Sequence, residues 1–172
     1  MRTLYLLRHG KSSWDDPTLA DHERPLASRG RRAATRLAEH LGANRVRPAL
    51  VLCSSAVRTR ETLDLVLPAL GPDVEVRVED ELYGAEAEEL LDRLHRIDDE
   101  IDSVMIVGHN PGLEDLALAL AVDGEQSALA QLDEKFPTGA LATLDVGGTH
   151  WDELGPGDAH LASVVIPRHL RP

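Results

Sequence analysis

The length, composition and charge of the chain exclude several classes of protein. Its 172 residues suit one folded unit, so we expect a single domain over residues 1–172. Hydrophobic residues make up 42% of the chain but aromatic residues only 3%, so the core must be aliphatic. No window approaches about 20 uninterrupted apolar residues, so we expect no membrane span. The formal net charge of −12 argues against non-specific nucleic-acid binding, which needs a basic face.

The N-terminus and the cysteine content favour a cytoplasmic protein. Residues 1–10 lack the long apolar stretch and the small-residue cleavage site of a secretory signal. Cys53 is the only cysteine, so no disulfide can form within the chain. Because Cys53 lies in a strand pattern, we expect its thiol to be buried and unreactive.

Strand patterns and helix patterns alternate along the chain. The predicted strands are residues 3–7, 50–53, 74–78, 103–107, 139–146 and 160–166. The predicted helices are residues 29–41, 56–67, 85–97 and 113–122. Ser28 is the expected N-cap of the first helix, and Gly42 is expected to end it. The alternation predicts an α/β fold, a three-layer sandwich with a mostly parallel central sheet flanked by helices.

A long polar loop over residues 8–27 joins the first strand to the first helix. Loops of this length in compact domains usually have a function. The sequence leaves open whether residues 11–27 close over a site as a lid. The candidates for the rim of a site are Lys11, Ser12 and Trp14, and the residues expected to pin the loop are His22, Glu23 and Arg24.

Three of the predicted strands lead into residues that bind anions. Arg8 and His9 follow the first strand, Arg58 lies near the start of the helix after residues 50–53, and His109 follows residues 103–107. Open α/β sheets place ligands at the carboxyl ends of their strands. A solvated basic loop explains one Arg-His pair but not this convergence. The four residues therefore predict a site for a dianion such as phosphate.

The motifs of metal and nucleotide sites do not occur in the sequence. The eight histidines show no H-E-x-x-H or paired-ligand spacing, and a lone cysteine cannot form a thiolate cluster. There is also no G-x-x-x-x-G-K-[ST]. We therefore expect no metal and no cofactor.

The ordered motifs resemble the histidine phosphatase superfamily, which includes cofactor-dependent phosphoglycerate mutase. The resemblance rests on L-R-H-G at residues 7–10, S-x-x-x-R at residues 54–58 and G-H at residues 108–109. Three further stretches are similar to its SixA-like phosphohistidine phosphatase branch: K-S-S-W at residues 11–14, D-H-E-R-P-L-A-S-R-G at residues 21–30 and G-H-N-P-G at residues 108–112. The resemblance covers nearly the whole chain and implies a phosphoglycerate mutase-like fold.

The resemblance implies a role for each of the four converging residues. His9 would be the nucleophile and form a phosphohistidine that water hydrolyses, and Arg8, Arg58 and His109 would bind the phosphate. The chemistry is consistent with these roles. Nearby arginines favour the neutral imidazole that can attack, and they can hold phosphate oxygens bidentately without a metal.

The general acid is the least defined part of the resemblance. Larger family members carry a glutamate shortly before a Tyr-Gly or Phe-Gly pair, and alignment on Tyr83 places Asp80 there, with Glu79 and Glu81 beside it. An aspartate has a shorter reach than the family's glutamate. The alternative interpretation is a solvated acidic turn, in which case none of the three donates a proton. A phosphohistidine substrate tolerates a weak acid, because its leaving imidazole is readily protonated.

These inferences predict a metal-independent phosphatase, with a SixA-like protein phosphohistidine phosphatase as the first interpretation. The compact chain lacks the long insertions that enclose small substrates in larger relatives. A small-molecule phosphomonoester hydrolase of the same superfamily is the alternative, and a non-catalytic phosphate-binding module is the alternative of another class. The expected partner is a phosphorylated substrate, with no nucleic acid and no membrane. A monomer is favoured, although the sequence leaves the oligomeric state open.

Overall fold

The computed structural model describes residues 2–148 and 150–170, and a seven-stranded sheet forms its centre. The strands are β1 (Arg2–Arg8), β2 (Leu50–Ser54), β3 (Glu75–Glu79), β4 (Ser103–Gly108), β5 (Ala121–Gly124), β6 (Leu141–Val146) and β7 (Ala159–Val165). The helices are α1 (Ser28–Ala43), α2 (Val57–Val66), α3 (Ala87–His95), α4 (Gly112–Leu120) and α5 (Gln126–Glu134). Within this part of the chain, no helix is both long and apolar enough to cross a membrane.

The strand order places the ends of three strands at one edge of the sheet. The order is β3-β2-β4-β1-β6-β7-β5, and the first four strands of this order run parallel. Strand β6 is antiparallel to β1 and β7, and β5 is parallel to β7. In register, Arg8 pairs with Gly108 and Cys53 pairs with Val107. The carboxyl ends of β1, β2 and β4 therefore meet, and the predicted mostly parallel sheet is confirmed.

Helices cover both faces of the sheet. Successive strand residues point to opposite faces, so neighbouring residues of β1 pack against different helices. Leu4 and Leu6 of β1 belong to a core cluster with residues of α3, α4 and α5. Leu7 belongs to a second cluster with residues of α1 and α2. The three-layer α/β sandwich is thus confirmed. Most of the core is aliphatic, as expected, although Phe136 and Trp151 are fully buried.

Three expectations about helices and strands are wrong. Gly42 does not end α1, because the helix continues to Ala43 and Asn44 is its C-cap. Ser28 is the first residue of α1 and not its cap, since Ala27 holds the N-cap position. The helix predicted over residues 113–122 ends at Leu120, and the chain continues as β5 and then α5, neither of which the sequence patterns predict. Strand β5 depends on pairing with β7, which is distant in sequence, so a local pattern cannot reveal it.

Candidate active site

Arg8, His9, Arg58 and His109 all line one cavity of about 560 Å³ at the carboxyl edge of the sheet. Arg8 ends β1, Arg58 lies in the first turn of α2, and His109 directly follows β4. All four side chains are partly or largely shielded, and His9, Arg58 and His109 are buried. The structure therefore brings together the four residues that the sequence predicts for a phosphate site.

Two glycines allow the loop after β1 to pack tightly against α1. A Cβ atom on Gly10 would lie 3.0 Å from the carbonyl oxygen of Gly30. A Cβ atom on Gly30 would lie 2.2 Å from the carbonyl oxygen of Lys11. The Gly10 backbone N–H donates to Thr62 Oγ1 at 3.1 Å, which fixes the turn against α2. This close backbone contact sets the position of the residue just before it, His9.

The His9 imidazole is held in one tautomer by the backbone. Its Nδ1 lies 2.7 Å from the carbonyl oxygen of Gly10, which can only accept, so Nδ1 carries the proton. The other ring nitrogen, Nε2, is then an unprotonated base. Burial lowers the pKa of His9 to about 4, with repulsion from Arg58 and Arg8 acting in the same direction. The imidazole is therefore neutral at neutral pH and suited to nucleophilic attack.

The second imidazole of the cavity, His109, lies close to the first. The ring centroids of His9 and His109 are 5.2 Å apart, and His109 Nε2 lies 2.7 Å from Ser54 Oγ. Burial lowers the pKa of His109 to about 3, with further lowering by His9 and Arg58. Its Nδ1 is buried and has no hydrogen-bond partner within the described residues. Such an atom is costly unless a ligand or water satisfies it.

Arg8 contributes a second buried atom without a partner. Its Nη1 donates to the carbonyl oxygen of Phe136 at 3.0 Å, which orients the guanidinium. Its Nε is buried and has no hydrogen-bond partner within residues 2–148 and 150–170. Burial lowers the pKa of Arg8, but arginines stay charged in proteins. Two residues that line the cavity, Arg8 and His109, thus each have a buried nitrogen atom that no group among the described residues satisfies.

Sequence reasoning missed both Thr138 and Asp21 as residues of the cavity, and Asp21 is the charged one of the two. Its Oδ2 accepts from Arg58 Nη2 at 3.0 Å and from the Tyr83 hydroxyl at 2.6 Å, and its Oδ1 accepts from Arg24 Nη1 at 2.8 Å. The Tyr83 hydroxyl and the two guanidinium groups hold the pKa of Asp21 well below its usual range. Asp21 therefore carries a negative charge inside an otherwise cationic site. Its only sequence signal is its place at the start of the D-H-E-R stretch.

Arg24 connects Asp21 to the loop around it. The Arg24 guanidinium is buried, donates from Nε to the Ser13 carbonyl at 3.1 Å and from Nη2 to Ser12 Oγ, and lies 3.3 Å from the centroid of the Trp14 ring. Arg24 therefore pins the loop, as its pattern predicts, and it also lines the cavity.

Asp80 is exposed and does not line the cavity. Of its two acidic neighbours, Glu79 binds Arg93 through two hydrogen bonds of 2.7 and 3.0 Å, and Glu81 binds Arg96 at 3.0 Å. Neither Glu79 nor Glu81 lines the cavity either. The short 3-10 helix Asp80–Leu82 turns the chain so that Tyr83 reaches the cavity instead. Within the described residues, Asp21 is the one carboxylate that lines it.

The described residues also include no group of three or more His, Cys, Asp or Glu side chains placed to hold a metal ion. The charged donors that line the cavity include the guanidinium groups of Arg8, Arg24 and Arg58. Such donors suit an anion and not a cation.

Comparison with known proteins identifies the class to which this fold and site belong. Residues 4–90 match the family described as the histidine phosphatase superfamily, branch 1. An uncharacterised protein of Mycobacterium tuberculosis is 40% identical over 164 residues, which cover 94% of this chain and all of that protein. The chain therefore belongs to the histidine phosphatase superfamily.

Solved structures refine the comparison. A candidate phosphohistidine phosphatase SixA from Nakamurella multipartitia superposes with a TM-score of 0.79 at 34% identity, covering 96% of each chain. A candidate SixA from Agrobacterium tumefaciens superposes with a TM-score of 0.76 at 36% identity, covering 84% of this chain and 92% of that one. This chain is similar to both in fold and in sequence, and these neighbours support a phosphatase.

Proposed function

We propose that this protein is a metal-independent phosphatase that acts through a covalent phosphohistidine at His9, and that its substrate is a phosphohistidine in another protein. The observation that carries the proposal is the His9 imidazole. Its Nδ1 is hydrogen-bonded to the Gly10 carbonyl oxygen, and the ring shares a cavity with Arg8, Arg58 and His109.

In the first step, Arg8 and Arg58 bind the oxygens of the substrate phosphoryl group. His9 Nε2 attacks phosphorus, and the bond between phosphorus and the substrate nitrogen breaks as the new N–P bond forms. The leaving imidazole takes up a proton, which solvent can supply. The buried Nε of Arg8 and Nδ1 of His109, which lack protein partners among the described residues, are the atoms that a bound phosphate can satisfy.

In the second step, water attacks the phosphorus of the phosphoenzyme. The N–P bond breaks, phosphate leaves, and the electron pair returns to His9 Nε2. Because the pKa of His9 is about 4, the released imidazole stays neutral at neutral pH and is ready for the next cycle. The positive charge that a metal supplies in many phosphoryl transfers comes here from Arg8 and Arg58.

The ionised state of Asp21 favours a phosphoramidate over an alkyl phosphate as the substrate. An alkyl phosphate needs an acid to protonate its leaving alkoxide. Among the described residues, Asp21 is the carboxylate that lines the cavity, but it is ionised and accepts hydrogen bonds from Arg58, Arg24 and Tyr83. A leaving imidazole needs no such acid. Hydrolysis of a small phosphomonoester is the second candidate, because phosphate bound to Arg58 would raise the pKa of Asp21 and let it donate a proton.

The test is to trap the phosphoenzyme and compare substrates. The purified protein is mixed with a phosphohistidine protein or a sugar phosphate, quenched in alkali, and mapped for the modified residue. We expect the label on His9, faster turnover of the phosphohistidine protein, and no effect of a chelator. His9→Asn should lose at least about 10³-fold in turnover, whereas His40→Asn, outside the cavity, should not.

Four results would count against the proposal. Label on another residue, or full turnover by His9→Asn, would remove the covalent mechanism. Rapid turnover of the sugar phosphate alone would favour the phosphomonoester hydrolase. Binding of phosphate without turnover of any substrate would leave a phosphate-binding module.

A further inference from the structure

A second cavity, of about 340 Å³, lies beside the catalytic one and is surrounded by positive charge. Its charged lining residues are all basic: Lys11, Arg29, Arg32, Arg36 and Arg168. The remaining lining residues are uncharged. We call these five side chains the cationic surface. They stand out because the whole chain has a net charge of −12.

The fold gathers these side chains from three segments. Arg29, Arg32 and Arg36 recur at spacings of three and four residues, so they share one face of α1 and extend over about 10 Å of the helix. Lys11 belongs to the loop after β1, and Arg168 lies in the 3-10 helix Pro167–His169. The cationic surface is therefore assembled by tertiary structure.

No carboxylate within the described residues pairs with any of the five cations. Arg31, which lies between two of them in sequence, shows the contrast, because it binds Glu61 at 2.7 Å. Lys11, Arg29, Arg32 and Arg168 are exposed, and Arg36 is half-buried. In a protein with 30 acidic residues, an unpaired group of this kind leaves a local field that attracts anions.

The cationic surface is continuous with the catalytic cavity. Lys11 and Thr138 line both cavities, so the two share a wall. A substrate whose phosphoryl group lies at His9 would therefore contact the cationic surface through the atoms that surround that phosphoryl group.

We propose that the cationic surface docks the acidic face of the protein that carries the phosphohistidine. This inference rests on the proposed function and names the partner's chemistry. An extended anionic face fits better than a small second anion, because the three arginines of α1 alone span about two helical turns. Within the described residues, no hydrogen bond fixes the side chains of Lys11, Arg29, Arg32 or Arg36. A nucleic acid fits less well, since the acidic body around the surface would repel a long phosphate chain.

The test uses two peptides and three proteins. Each peptide carries one phosphohistidine, flanked by glutamates in one and by glutamines in the other. The proteins are the wild type, Arg32→Gln/Arg36→Gln, and the control Arg45→Asn/Arg47→Gln. The control removes two exposed arginines outside the cationic surface and changes the net charge equally. Asparagine suits position 45, because its φ of 52° is left-handed.

We expect the wild type and the control to prefer the glutamate peptide about tenfold in kcat/KM at low salt. The Arg32→Gln/Arg36→Gln protein should lose that preference but hydrolyse an aryl phosphate as the wild type does. High salt should abolish the preference in the wild type and in the control, since the Debye length falls to about 3 Å at 1 M.

Several results would overturn docking of an acidic protein. These are equal use of both peptides by the wild type, a preference that survives Arg32→Gln/Arg36→Gln, or an equal loss on the aryl phosphate. A preference for a bisphosphorylated sugar over its monophosphate, with none between the peptides, would assign the surface to small anions.

The cationic surface can also be tested apart from catalysis. If the wild type hydrolyses neither phosphopeptide, the proposed function is wrong. Binding of the unphosphorylated glutamate peptide to His9→Asn protein, measured by fluorescence anisotropy, then still decides the role of the surface. Binding that weakens when Arg32→Gln/Arg36→Gln is added supports docking, and unchanged binding refutes it.

Discussion

At the residue scale, the hydrogen bond from His9 Nδ1 to the Gly10 carbonyl does the most to define the chemistry. It selects one tautomer, and burial keeps the ring neutral. The ion pair between Asp21 and Arg58, in contrast, opposes the binding of a phosphate. Arg58 is 8% exposed, and in the free protein its guanidinium binds a carboxylate of the same chain. An incoming phosphate must share or displace that contact.

Substitution of Asp21 tests this competition. In Asp21→Asn the negative charge is gone, so Arg58 and Arg24 become available to a phosphate dianion. We expect inorganic phosphate to inhibit the variant at a concentration about three to ten times lower than for the wild type. Asp15→Asn is the control, since Asp15 is exposed on the same loop and its side chain binds neither arginine. Weaker inhibition by phosphate in Asp21→Asn would show that the carboxylate holds the site together.

At the element scale, α1 contains two glycines in very different surroundings. A Cβ on Gly30 would meet the Lys11 backbone at 2.2 Å, whereas a Cβ on Gly42 would have its nearest neighbour at 3.8 Å. Gly30→Ala should therefore lower the free energy of unfolding by about 1–3 kcal/mol and impair turnover by shifting the chain next to His9. Gly42→Ala should raise it by about 0.5–1 kcal/mol, because alanine is the better helix former.

Urea unfolding of both variants, with turnover of an aryl phosphate measured in parallel, checks the contrast. A Gly30→Ala protein as stable and active as the wild type would mean that the loop moves aside at no cost.

The sequence predicts some of the elements and site residues and misses others. Arg8, His9 and His109 were predictable because each lies at the end of an apolar run, and the carboxyl ends of parallel strands share an edge. Asp21 was not, because its place depends on side-chain contacts from Arg58 and Tyr83, which no local pattern encodes. Strand β5 was missed for a similar reason, since its four residues are a strand only beside β7.

At the scale of the whole molecule, two buried neutral imidazoles make stability depend on pH. The pKa values of His9 and His109 are about 4 and about 3 in the folded protein, against about 6.5 in an unfolded chain. Below pH 6.5 the unfolded chain therefore binds more protons, so the free energy of unfolding falls as the pH falls towards 4. Between pH 6.5 and 5, we expect a loss of roughly 1–2 kcal/mol for each imidazole.

Chemical denaturation of the wild type and of His9→Gln/His109→Gln at both pH values measures this effect. The double variant should lose much less stability over the interval. His150 works in the opposite direction, because its partner Asp99 raises its pKa, and it is present in both proteins. Parallel pH profiles for the two proteins would contradict the assignment.

Strand β1 lies inside the sheet, with β4 hydrogen-bonded along one side and β6 along the other. His9 thus directly follows a strand that has no free edge, while part of the lining of its cavity comes from the surface loop between β1 and α1. Substitutions in that loop would change which leaving groups the cavity accepts, whereas the position of the imidazole would stay the same. With His9 as the proposed nucleophile, one scaffold could in this way serve different phosphorylated compounds while the reacting side chain stays unchanged.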